Sequence, residues 1–341
     1  MHMANELISP IVGGTMLAVT AGIGGYCIKK VDMQPIERKL PLMGTMGAFV
    51  FAAQMLNFSI PGTGASGHLC GGILLAVLLG PYAGFLTMAT ILLIQALFFA
   101  DGGLLAYGCN VFNMGFLSCF VAYPLVFKPL KKGIQGGKKL WLAAIIGSLI
   151  SLQLGAFGVV LETTLSVKTT IPFLDFLRMM QPIHLAIGLV EGCTIGAVLS
   201  FVYKTTPSLV LDTKEEVQGE RKGKKRKYIW PMIWGMVILL TAGLFSHYAS
   251  SNPDGLEWSI LKVTGSETLE EKNPSQIHQS AESLQENTAM LPNYDFREGT
   301  SKSWLSGTSV AGIVGSALTF MIVCVIGWLG HLFRRTQESR I

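Results

Sequence analysis

The chain has 341 residues, of which 50% are apolar and only 14% charged, with a mean hydropathy of +0.49. That balance excludes an ordinary water-soluble enzyme. The net charge of +5 lies mostly in short loops beside apolar runs, which explains it by membrane orientation and argues against a nucleic-acid partner.

A bilayer core needs about 20 apolar residues per helical crossing, at roughly 1.5 Å rise each. In chain order, runs of this kind occur at 7–28, 41–58, 69–82, 84–100, 107–127, 140–161, 183–203, 229–249 and 307–332. The pattern predicts an all-α, polytopic helical membrane protein. The third run is short, and Pro81 between Gly80 and Gly84 marks a tight turn or a broken helix there. Residues 1–210 are expected to form a seven-span bundle, 211–228 a basic cytoplasmic linker, and 229–341 a two-span module. Between those last two spans, the segment from about 250 to 306 is polar and acidic, and is expected to be partly disordered.

Lysine and arginine fix the orientation. Placing the loops after the first, fifth and seventh runs and the C-terminal tail in the cytoplasm puts 20 of 26 basic residues inside, so the N-terminus faces outward. The opening Met1-His2-Met3-Ala4-Asn5-Glu6 has no basic stretch and no clear small-residue cleavage site, so it does not read as a removable signal. Met1 is expected to stay, because histidine at position two is large. Six scattered cysteines without a CxxC pair indicate neither a zinc nor a disulfide framework.

This topology gathers His2, His68 and His184 on the outer side. Residue two is special: its imidazole, its own amide nitrogen and the free terminal amine can surround one metal in fused chelate rings. His68, following the glycine-rich loop Pro61 to Gly67, is a plausible fourth donor and completes a square-planar nitrogen set of the kind taken by Ni(II) or Cu(II). Asp101, Asn110 and Asn113 are candidates to orient those ligands or to cap helices. Cys70 reads as a small core residue. Glu191 is an ionisable group inside the seventh run and a functional candidate on that ground. The stripes Gly188-Gly192-Gly196 and Gly14-Ala18-Gly22 read as close helix contacts.

The start MHM, the stretch PGTGASGHLCGG continuing to NMG (61–115) and HLAIGLVEGCTIG (184–196) strongly resemble the CbiM/NikM family. These are the membrane substrate-capture components of energy-coupling-factor transporters for cobalt and nickel. SSNPDGLEW (250–258) looks like the PDGLE-type NikN/CbiN accessory module fused to the same chain. The resemblance implies a location in the inner membrane among lipid. It implies Ni2+ or Co2+ as the transported substrate and no catalytic cofactor. Met1, His2 and His68 are the implied metal donors. The implied partners are a CbiQ/NikQ-like transmembrane T component and a CbiO/NikO-like ATPase. The chain itself would be no enzyme, and it contains no G-x-x-x-x-G-K-[ST] loop. Square-planar nitrogen ligation and the PDGLE-type tail point to nickel over cobalt.

Two other readings compete. Gly64-Ala65-Ser66-Gly67 fits the GxSG pattern of rhomboid-like serine proteases, with His184 as base. A proton-driven secondary transporter would use Glu191 as its relay, but its inverted repeats and paired broken helices are not seen in the sequence.

Overall fold

The computed structural model describes every residue except 32–35, 133–136, 170, 211–225, 267–268, 270–274, 297–305 and 339–341. Helix α1 (Pro10–Lys30) starts from Ser9, whose side chain accepts from Val12 N, and from Pro10, whose missing N–H is no loss in a first turn. Only Gly13, Thr20 and Cys27 of α1 are buried. Gly14 and Gly22 meet open space, so the small-residue stripe expected to mark a close contact of the first span packs against none of the described residues.

After α2 (Ile36–Gln54) comes a feature the all-helical expectation lacked, a hairpin of β1 (Phe58–Ile60) and β2 (Ala65–Gly67) paired Phe58↔Gly67, Ser59↔Ser66 and Ile60↔Ala65. Gly62 and Gly64 take φ of +77° and +75° in its turn, a conformation that residues with a Cβ resist. The third predicted run then becomes α3 (Gly72–Leu79), eight residues or about 12 Å long, too short to cross a membrane. Gly71 and Gly80, at φ +80° and +83°, stop it at both ends, and its residues through Leu78 are buried. Protein cover of this kind is what permits broken backbone at such depth.

Helices α4 (Pro81–Phe99), α5 (Tyr107–Lys131, largely π-helical from Val111), α6 (Gly137–Ser166) and α7 (Phe173–Thr205) follow. The second glycine stripe is an internal contact: α7 lays Gly188 on Leu149, Gly192 on Ile145 and Gly196 on the Trp141 ring of α6. A Cβ on Gly192 would stand 2.5 Å from the Ile145 Cα, so the two backbones can approach this closely only over glycine.

Helix α8 (Arg226–Leu239) runs into a π turn and a 3-10 turn ending at Tyr248. Two shorter helices, α9 (Gly255–Thr264) and α10 (Gln276–Thr288), precede α11 (Gly307–Glu338), which packs along α2. Among the described residues, six helices are long and apolar enough to cross a membrane: α1, α4, α5, α6, α7 and α11. The chain is thus a helical membrane protein. The segment from about 250 to 306, expected to be partly disordered, carries α9 and α10 docked on the end of the bundle that holds the N-terminus, against α7 and α4, while 267–268, 270–274 and 297–305 lie outside the described residues. α9 buries Leu256 and Ile260 in the core, and polar contacts hold α10. The basic linker expected at 211–228 lies, up to residue 225, outside the described residues.

Candidate metal centre

The N-terminal segment does not trail in solvent. Met1 is 6% and Met3 0% exposed. Asn110 clamps Met3 in both directions, its Oδ1 accepting from Met3 N at 2.8 Å and its Nδ2 donating to Met3 O at 3.1 Å. Gly103 N also donates to Met3 O. Asn5 accepts from Leu105 N and donates to Gln285 of α10, which donates in turn to the carbonyls of Ala96 and Gly102. His278 of α10 reaches Ile8 O through Nε2 at 2.9 Å. The chain start is therefore threaded into one end of the bundle and strapped there by α10.

The threading brings the three sequence-predicted residues together. The Met1 amine stands 3.5 Å from His68 Nε2, and the rings of His2 and His68 stack at 5.0 Å between centroids with planes 7° apart. His68 is presented by the hairpin on one side and by Glu191 on the other. The Glu191 carboxylate accepts from Cys70 N at 2.7 Å and Gly71 N at 3.1 Å, fixing the turn between His68 and α3. Glu191 is thus a positioning residue for the His68 loop. Cys70 points its Sγ toward Met114 O, 3.8 Å away and buried.

Of the remaining candidates, Asp101 meets His2: its Oδ2 lies 3.2 Å from His2 Nδ1 and also accepts from the Tyr294 hydroxyl. As oriented, the His2 Nε2 is buried without a hydrogen-bond partner. Asn113 turns away toward Glu162. His184 is fully buried, with Nδ1 on Met180 O at 2.8 Å, so its role as a protease base has no hydroxyl to serve. The Ser66 hydroxyl donates to Asn252 O instead.

Sequence reasoning missed Asp254. It is the Asp of the PDGLE stretch, and its Oδ2 forms an ion pair with the Met1 ammonium at 3.2 Å. The route to it is a strand-edge contact. Ser66 N, pointing out of the hairpin, donates to Pro253 O at 2.8 Å, and Trp258 Nε1 donates to Thr63 O at 2.9 Å. No single-sequence signal joins residues so far apart in the chain.

The electrostatics follow from burial and this pairing. Burial and the nearby Met1 ammonium hold the His68 imidazole below its ordinary value, keeping a ring lone pair available near neutral pH. Burial alone would raise Asp254, but the ammonium and His68 outweigh it and keep its carboxyl well below the usual range. Asp101 is likewise raised by burial and lowered further by the His2 ring and Tyr294, to about 2. A depressed carboxyl stabilises the fold above its unfolded value near 3.8 and loses that contribution as pH falls toward 2. Hydrogen exchange at Met3 to Asn5 is therefore expected to accelerate between about pH 4 and pH 2 in the wild type, and much less in Asp101→Asn.

Among the described residues, no three His, Cys, Asp or Glu side chains are arranged to hold a metal ion. The comparisons with known proteins agree on a family. The model described as "Cobalt uptake substrate-specific transmembrane region", CbiM, matches residues 2–209, and the PDGLE domain matches residues 229–332. A protein of Archaeoglobus fulgidus named as a fused nickel transport protein, NikMN, is 31% identical over 336 residues, covering 98% of this chain and 100% of that one. Geobacter sulfurreducens has a cobalt transport protein CbiM that is 30% identical over 50% of this chain and 49% of its own length. The crystal structure of a truncated transition metal transporter, 29% identical, superposes with a TM-score of 0.52 over 60% of this chain and 99% of that one. With both regions matched in a single polypeptide, the chain belongs to the CbiM family and carries a PDGLE domain behind its CbiM region.

Proposed function

We propose that this chain captures a divalent transition metal ion, nickel in preference to cobalt, as the substrate-specific component of an ATP-driven energy-coupling-factor transporter. Residues 1–210 are the metal-binding membrane domain, seven helices of which α3 is a buried partial crossing, and 229–341 the two-span accessory module. The N-terminus faces outward and the C-terminus the cytoplasm. ATP is hydrolysed on separate ATPase subunits, coupled through a transmembrane T component.

The donors are the Met1 amine, the amide and ring of His2, and the ring of His68. The observation that carries this reading is the approach of the Met1 amine to His68 Nε2, beneath the stacked His2 ring, at the end of a buried and many-times-bonded N-terminal segment. Chelation through His2 Nδ1 requires that ring to turn off Asp101. Nickel transport by fused relatives of the same two-part organisation supports the choice of ion.

Metal binding displaces protons from the amine and the amide, so affinity falls in acid. The test is direct. The purified full chain is expected to take up one nickel or cobalt ion, more tightly at pH 8 than at pH 5, and His68→Ala to lose it. Uptake by cells carrying the chain with its ATPase and T component is expected to stop when the ATPase is inactivated. Uptake that survives ATPase loss and yields only to uncouplers would establish the proton-driven alternative instead.

A further inference from the structure

Three atoms at the centre come from two regions of the chain. Asp254 Oδ2 stands 3.2 Å from Met1 N and 3.8 Å from His68 Nε2, while those two nitrogens lie 3.5 Å apart. A triangle with these sides has a circumscribed circle of radius about 2.0 Å, which is the bond length that nitrogen and oxygen donors take to a first-row divalent ion such as zinc. One point is within bonding reach of all three atoms before any of them moves.

The carboxylate is also held in place independently of any ion. Its Oδ1 accepts from Leu256 N and Glu257 N at 2.8 Å each, capping α9, while the Glu257 side chain accepts from Asp254 N at 2.9 Å to complete a capping box. That division leaves Oδ2 facing Met1 and His68. The backbone just before it is fastened to the hairpin through Asn252 O and Pro253 O on Ser66, two residues ahead of His68. A cavity beside these atoms is lined by Met1, His68, Asp254 and His184, whose Nε2 is buried and has no hydrogen-bond partner among the described residues.

We infer that Asp254 is a further metal-binding residue: its Oδ2 joins Met1 N and His68 Nε2 on the captured ion, so that the donor set spans the CbiM region and the PDGLE domain. This rests on the proposed donor roles of Met1 and His68. An anionic oxygen offsets part of the charge of the cation and adds a hard donor to a nitrogen set. The four nitrogens of the proposed set are then joined by an oxygen, and the ion has a fifth donor.

The experiment uses the full chain in detergent, loaded with nickel, and reads X-ray absorption at the nickel edge together with a nickel titration. The wild type is expected to lack the sharp 1s-to-4p edge feature of square-planar nickel. Asp254→Asn keeps an acceptor for Leu256 and Glu257, so α9 stays capped, and is expected to gain that feature and to bind nickel at least about tenfold more weakly. Spectrum and affinity both unchanged in Asp254→Asn would overturn the inference. If the variant proves unfolded, the wild-type edge decides alone, a square-planar feature overturning it. His68→Ala separates the two levels. Unimpaired binding there would remove the underlying donor assignment, whereas lost binding there with a normal Asp254→Asn would remove only the role of Asp254.

Discussion

Adding one residue ahead of Met1 is expected to reduce nickel affinity by about 100-fold or more, the largest effect of any single change. Two causes act together. The terminal amine becomes an amide, which carries no positive charge to pair with Asp254 and, unlike an amine, offers a metal a lone pair only after giving up its N–H proton. The extra residue also has no room, because Met1 is already 6% exposed and its side chain packs beside Gly155. A cleavable extension makes the comparison clean. Proteolytic removal that restores Met1, verified by intact mass, is expected to bring binding back. Full binding by the uncleaved, mass-verified form would remove the amine from the donor set.

Replacing Glu191 with alanine is the second large effect, and it acts through the fold. Its carboxylate satisfies the buried N–H groups of Cys70 and Gly71, and alanine leaves both without an acceptor inside the bundle. Each orphaned donor costs about 1–3 kcal/mol, so a loss near 3 kcal/mol in detergent unfolding is expected, with metal affinity falling because the His68 turn is released. Glu191→Gln should lie between, since one amide oxygen can accept once while its NH2 group meets the other donor head-on. An alanine variant as stable as the wild type would show that the turn is held elsewhere.

Much of this architecture was legible from residue order. Apolar runs located α1, α4, α5, α6, α7 and α11 because a helix long enough for hydrocarbon leaves an unmistakable composition. Pro81 between Gly80 and Gly84 signalled the break after α3, although its start at Gly71 and its lack of crossing length are decided by the positive φ angles at Gly71 and Gly80. Residues Met1, His2 and His68 were legible as chemistry, since a terminal amine beside histidine offers nitrogen donors that few other arrangements supply. What stayed hidden was long-range and polar. Asp254 and Gln285 act at the N-terminal segment through single hydrogen bonds and ion pairs, and such contacts leave no periodicity. The docking of α9 and α10 was illegible because neither helix is long enough to leave a distinct apolar run and the register of each is set by the surface it covers.

The strap formed by α10 over the first residues has a consequence for biogenesis. Gln285 and His278 leave the ribosome long after Met1, so the opening segment waits through most of translation before its last tie can close. Carrying both parts on one polypeptide makes that closure intramolecular, at the millimolar effective concentration a tether provides and at a fixed one-to-one stoichiometry. Weak individual ties are then sufficient, where two separate subunits would need a tighter interface to complete the same assembly.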